Sequence, residues 1–132
     1  MALDDFGGWP GLLARLCAGE DLSAALAPLG DRAVVAGPVD EATKHAWFDA
    51  ADVFCLPSLL EGFGLPVLEA MGHGTPVVTS ADTATAEVAG DAGLTVDPTD
   101  VDAVADSLRR VLSDPALAAR LAEAGRGRAA TL

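Results

Sequence analysis

An α/β fold, a doubly wound parallel sheet of about four strands, is predicted by three features of this sequence. Short, almost wholly apolar segments alternate with segments of helical periodicity, the pattern of a parallel sheet covered on both faces. Three of the four apolar segments stop at a Gly, Pro or Asp break. The composition also suits one core and not two: 51% of the 132 residues are hydrophobic, but 27 of those are alanine and none is isoleucine.

The elements follow in order. Residues 11–18 and 21–29 read as short helices after an opening Gly7-Gly8-Trp9-Pro10. Residues 33–36 (AVVA), stopped by Gly37-Pro38, read as the first buried strand. Residues 41–51 read as a helix, with Ala42, His45, Ala46 and Asp49 at helical spacing. Residues 52–56 (DVFCL) form the second strand, stopped by Pro57. Residues 66–72 read as a helix with Pro66 at its first position, where a missing N–H costs nothing. Residues 76–79 and 93–96 are the third and fourth strands, with a short helix near 84–88 between them. The clearest helix starts at Val101. Val101, Val104, Ala105, Leu108, Val111 and Leu112 form one apolar stripe, Thr99 or Asp100 caps it, and Arg109 and Arg110 lie near its end. Pro115 opens a final helix.

Charge narrows the function. Eight Lys and Arg against twenty Asp and Glu give a net charge of −12, and Lys44 is the single lysine. That balance argues against nucleic acid and anionic membrane as partners, since both need clustered cations. No run approaches the ~18 apolar residues of a membrane span. Asp4 and Asp5 stand where a signal peptide would carry positive charge, so a cytoplasmic location is expected. Cys17 and Cys55 are too few for a disulfide scaffold, and neither they nor His45 and His73 have metal-ligand spacing, so no metal is expected. Cys55, Trp47, Phe48 and Phe54 read as packing residues, His73 as a solvent-facing residue at a helix end, and Arg126 and Arg128 as solvated charges.

Chemistry concentrates after the second strand, in the string LPSLLEGFGLPVLEAM, residues 56–71. A strand end, a loop with Gly62 and Gly64, and a helix starting near Leu65 would turn the amides of residues 63–65 outward, where the helix dipole favours an anion. Glu61 and Glu69 frame the loop with seven residues between them. Carboxylates beside an anion site suit sugar hydroxyls, which donate charge-assisted hydrogen bonds to them. A diphosphate between two sugars is consistent with the pattern. Turn glycines and helix-stabilising acids account for the same residues equally well, and both readings stand on the residues alone.

The string EGFGLPVLEAM followed by GTPVVTS closely resembles the donor-binding signature of the family-four retaining glycosyltransferases. The resemblance begins upstream at Ala51-Asp52-Val53-Phe54 and Leu56-Pro57-Ser58. It continues through Ala86-Glu87-Val88, the run 91–98, Asp114-Pro115 and Arg120, so that 32–132 is family-like and 1–31 a weakly matched helical remnant. It implies a Rossmann-like, incomplete C-terminal domain of a two-domain GT-B fold, with 1–132 a single partial domain. It implies Glu61 on the donor sugar as the catalytic residue, Glu69 on the nucleotide ribose, and the backbone of Gly62, Phe63, Gly64 and Leu65 against the diphosphate and sugar. The implied reaction moves a glycosyl group from a nucleotide diphosphate-sugar to an acceptor with retained configuration, without cofactor or metal. No residue of the sequence matches the Arg and Lys that neutralise the diphosphate in the family.

The sequence leaves the sugar, base and acceptor open. The partners it implies are the donor, an acceptor, and a separate acceptor-domain chain or a second copy. The same residues admit two other functions. One is a non-catalytic nucleotide-sugar-binding or interaction module. The other is a hydrolase using Glu61 and Glu69 as an acid/base pair.

Overall fold

The computed structural model describes residues 27–132. The expected helix at 11–18, most of that at 21–29, the opening 7–10, and Cys17 lie outside the described residues. By its internal contacts the chain divides into two units, Met1–Val39 and Asp40–Leu132.

The described part of the first unit is a 3-10 turn, Ala27–Arg32, followed by irregular chain. The strand expected at 33–36 does not form among the described residues. Val34 and Val35 are 80% and 50% exposed, and neither joins a ladder. Apolar content is not enough for a strand, which exists only through a paired neighbour. The sheet therefore has three described strands rather than about four.

The second unit runs α1 (Glu41–Ala50), β1 (Phe54–Leu56), α2 (Leu65–Gly72), β2 (Val77–Ser80), α3 (Ala84–Ala89), β3 (Leu94–Val96), α4 (Val101–Ser113) and α5 (Pro115–Ala129). The strands are parallel in the order β1-β2-β3, with Phe54 opposite Val77 and Val78 opposite Leu94. Both crossovers carry a helix, as parallel pairing demands.

Strand periodicity divides the core into two layers. Val77 faces Phe48 of α1, Val67, Ala70 and Met71 of α2, and Val88 and Ala89 of α3. Its neighbour Val78 faces Val111 of α4 and Leu117 and Leu121 of α5. Phe54 and Leu56 join the first layer, and Val53 and Cys55 the second. The stripe on α4 is buried at Val104, Ala105 and Val111, but Leu112, expected in it, is 55% exposed, and Ser107 is buried instead. The buried arc is thus rotated about the helix axis, toward Ser107 and away from Leu112. α5 reaches α2, where Gly125 lies so close that a Cβ would stand 3.4 Å from that of Met71.

Local chemistry sets the helix ends. Asp40, Asp100 and Asp114 accept from Thr43, Ala103, and Ala116 with Leu117, each capping the helix that follows. α2 starts differently. Its cap is Gly64 at φ 89 and ψ 40, with no side chain to offer, and Pro66 lies just inside. At the C-terminus of α3, Arg128 of α5 donates Nε to Val88 O and Nη2 to Glu87 O, both at 2.5 Å. Arg128 is therefore a helix cap and not the solvated charge expected, because α5 folds back across the end of α3.

Candidate functional site

The site assembles where β1 and β2 end, as parallel sheets favour. Two hydroxyls tie the loop after β1 to β2. Thr79 Oγ1 donates to Leu56 O at 2.9 Å, and Ser80 Oγ donates to Ser58 O at 2.5 Å. Both residues are fully buried. In an interior where an unpaired hydroxyl is costly, these bonds hold the loop to one path. The sequence signal was present, a Thr-Ser pair closing an apolar strand, but its partners are carbonyls over twenty residues away.

On this loop Glu61 is half-buried, and its Oε1 accepts from Ser58 Oγ at 3.0 Å. The carboxylate lines a groove of about 690 Å³ with Leu59, Leu60, Asp82, Thr83, Ala84, Ala86 and Glu87. Three carboxylates and a threonine hydroxyl are its polar side chains, and no cation is among the lining residues. Acceptors of this kind suit a ligand rich in hydroxyl donors. Asp82 holds a positive φ of 57, the one non-glycine to do so among the described residues. Such backbone persists where its surroundings fix it, and it recurs at ligand sites. Nothing in the one-dimensional pattern marked Asp82.

Gly62 and Phe63 line an adjoining hollow of about 280 Å³ with Ala84, Glu87, Val88 and Leu132. Ala84 and Glu87 border both spaces. Among the described residues, the amides of Gly62, Phe63, Gly64 and Leu65 have no backbone acceptor, the ordinary condition of a helix N-terminus. Gly62, Phe63 and Leu65 are exposed, whereas Gly64 is buried against Thr85. A separate hollow of about 540 Å³ lies between α4 and α5, with Arg110, Asp114 and Arg120 in its wall; it contains none of the expected site residues.

Glu69 sits one turn into α2 and lines neither space beside the loop. It faces α1, where Lys44 Nζ donates to its Oε1 at 3.0 Å. The same ammonium lies 2.9 Å from Glu41 Oε2. Hydrogen bonds to Glu41 and then to Glu69 raise the Lys44 pKa, and the bond to Lys44 lowers that of Glu41. Lys44 thus remains a cation at neutral pH. The sequence shows Lys44 as its single lysine but gives it no partner, since 25 residues separate it from Glu69.

Beside this pair, the end of α2 is fastened to α1. Asp49 Oδ1 accepts from His73 Nδ1 at 2.6 Å, and His73 Nε2 pairs with His45 Nδ1 at 2.8 Å. His73 stacks on Phe48 with centroids 5.7 Å apart. His73 is therefore not the solvent-facing residue expected: its side chain is 23% exposed and spent on a contact between helices. Cys55 is half-buried, and burial raises its thiol pKa to about 11. Among the described residues, no group of three or more His, Cys, Asp and Glu could hold a metal ion. No described helix is long and apolar enough to cross a membrane.

A family model described as glycosyl transferases group 1 matches residues 19–128. The chain is 54% identical over 67 residues to an O-antigen chain mannosyltransferase B of Escherichia coli, covering 51% of this chain and 18% of that protein. It is 43% identical over 94 residues to a glycogen synthase of Mycobacterium tuberculosis, covering 70% and 23%. Its structure is similar to a sucrose-phosphate synthase from Thermosynechococcus elongatus, a GT-B fold, with a TM-score of 0.75 at 36% identity, covering 89% of this chain and 29% of that one. The chain thus spans about a fifth to a quarter of the length of the curated relatives it matches.

Proposed function

We propose that this chain, which belongs to the group 1 glycosyl transferases, binds a nucleotide diphosphate-sugar and supplies the donor side of a retaining glycosyl transfer. One observation carries the reading most directly. Glu61, oriented by Ser58, stands in an acid-lined groove beside the unpaired amides of Gly62 and Phe63. A sugar with its hydroxyls toward Glu61, Asp82 and Glu87 would place its diphosphate toward those amides. Glu69, beside Lys44 of α1, would take the ribose hydroxyls with Oε2, the oxygen that Lys44 does not engage. Glu61 is the residue proposed to act at the reacting sugar; Gly62, Phe63, Gly64, Leu65 and Glu69 complete the binding set.

In the proposed transfer, the bond from the anomeric carbon to the leaving phosphate oxygen breaks. A bond from that carbon to the acceptor oxygen forms on the same face, and the acceptor's proton passes to the leaving diphosphate. The reading invokes no metal and no cofactor, and it places the protein in the cytoplasm. It treats 1–132 as part of one donor domain. The acceptor surface belongs to a further portion of the enzyme, joined covalently or supplied by another chain.

The test is calorimetric titration of the 132-residue chain with nucleoside diphosphates and their hexose conjugates. Glu61→Ala is expected to weaken the conjugates by about 10- to 100-fold, the worth of one charge-assisted contact, and to leave the bare diphosphates unchanged. Glu69→Ala should weaken both. Failure of the wild-type chain to bind any of these ligands would overturn the proposal. Release of free sugar from a simple glycoside, lost in Glu61→Gln, would favour hydrolysis instead.

A further inference from the structure

We infer that Lys44 is a positioning residue for the donor nucleotide, acting through Glu69. The inference rests on the reading of Glu69 as the ribose ligand and adds a residue to it. Lys44 Nζ sits between Glu41 Oε2 at 2.9 Å and Glu69 Oε1 at 3.0 Å. A Glu side chain on a helix has several free torsions, so an unheld carboxylate sweeps many orientations. Lys44 engages one oxygen and leaves the other to accept from a ribose hydroxyl. Glu41, the preceding turn's acid on α1, in turn limits where the ammonium can go.

The frame behind the pair is rigid on both sides. Phe48 of α1 is buried in the layer that includes Met71 of α2. The Asp49–His73–His45 chain joins the same two helices at the far end of α2. Thr75 Oγ1 donates to Phe48 O at 2.6 Å and ties the turn after α2 to α1 as well. With the backbones fixed, the lysine length sets the position of the Glu69 carboxylate. Lys44 and Glu69 side chains are 31% and 34% exposed, so solvent, and with it a ligand, reaches the pair.

The probes are uridine, adenosine and guanosine diphosphates and their 2′,3′-dideoxy forms, titrated into the 132-residue chain. Lys44→Met is expected to weaken the ribonucleotide by about 3- to 10-fold and the dideoxy form by less than about 2-fold. Lys44→Arg should restore most of the difference, because a guanidinium can still reach the carboxylate. In a Glu69→Gln background, Lys44→Met should add nothing further. If the wild-type chain binds no diphosphate, the donor-site reading falls and takes this inference with it. If it binds and Lys44→Met binds as well, the inference alone is wrong. Equal weakening of ribo and dideoxy forms also overturns it, since Lys44 would then be acting as a charge near the phosphates or as a general support.

Discussion

Replacing Gly64 by alanine tests whether the site loop is built as described. The glycine sits at φ 89, and a Cβ there would lie 2.8 Å from Thr85 Cγ2 and 3.4 Å from Thr85 Cα. Thr85 is fully buried in α3, and its hydroxyl pairs with Thr83 Oγ1 at 2.7 Å, so it has no room to retreat. Left-handed backbone costs a residue with a Cβ about 1–2 kcal/mol. Overpacking against a fixed neighbour adds about 1–3 kcal/mol, for a total of about 2–5 kcal/mol. Urea unfolding of Gly64→Ala should show that loss as a lower midpoint with an unchanged slope. Thr85→Ser removes the offending methyl and keeps the hydroxyl. In the Gly64→Ala background it should return the contact portion, about 1–3 kcal/mol, and leave the backbone portion in place. A Gly64→Ala protein within ~0.5 kcal/mol of the parent would refute both portions. A Thr85→Ser shift identical in the two backgrounds would refute the contact alone.

Two further outcomes are expected. Arg128→Met leaves Glu87 O and Val88 O without their donors and should lower stability by about 1–3 kcal/mol in the same assay; no change would mean those carbonyls turn to water at no cost. Cys55 gives a pH dependence. Burial raises its pKa from 9.0 to about 11, so the folded chain holds that proton more tightly than the unfolded one. The contribution is intact below pH 9 and is lost as pH rises toward 11, by about 2–3 kcal/mol. Unfolding midpoints measured at pH 8 and pH 10.5 should diverge for the parent and much less for Cys55→Ala; parallel declines would assign the loss to other groups.

Much of this protein was legible because its signals are local. Asp100 and Asp114 announce helix starts by side-chain chemistry within three residues. Val77 and Val78 belong to different core layers because neighbouring strand residues point to opposite faces. The loop with Gly62 and Gly64 reads as a strand-to-helix turn, and the structure places that loop between β1 and α2. The failures share one cause. The run 33–36 has the composition of a strand but no paired edge among the described residues. His73 and Arg128 look like surface residues until chain from 24 and 40 positions away folds against them.

The order of elements from residue 41 onward, the α/β class and the residues that adjoin Glu61 along the chain are properties of the sequence alone, since each rests on spacing, backbone preference or residue type within a few positions. Which residues meet is a different matter. Lys44 beside Glu69, Thr79 and Ser80 fastening the loop, and Asp82 and Glu87 facing Glu61 in one groove were decided by the packing of α1 and α3 about the sheet. Those contacts join positions 20 or more apart, and no local preference encodes a distance that only the closed core creates.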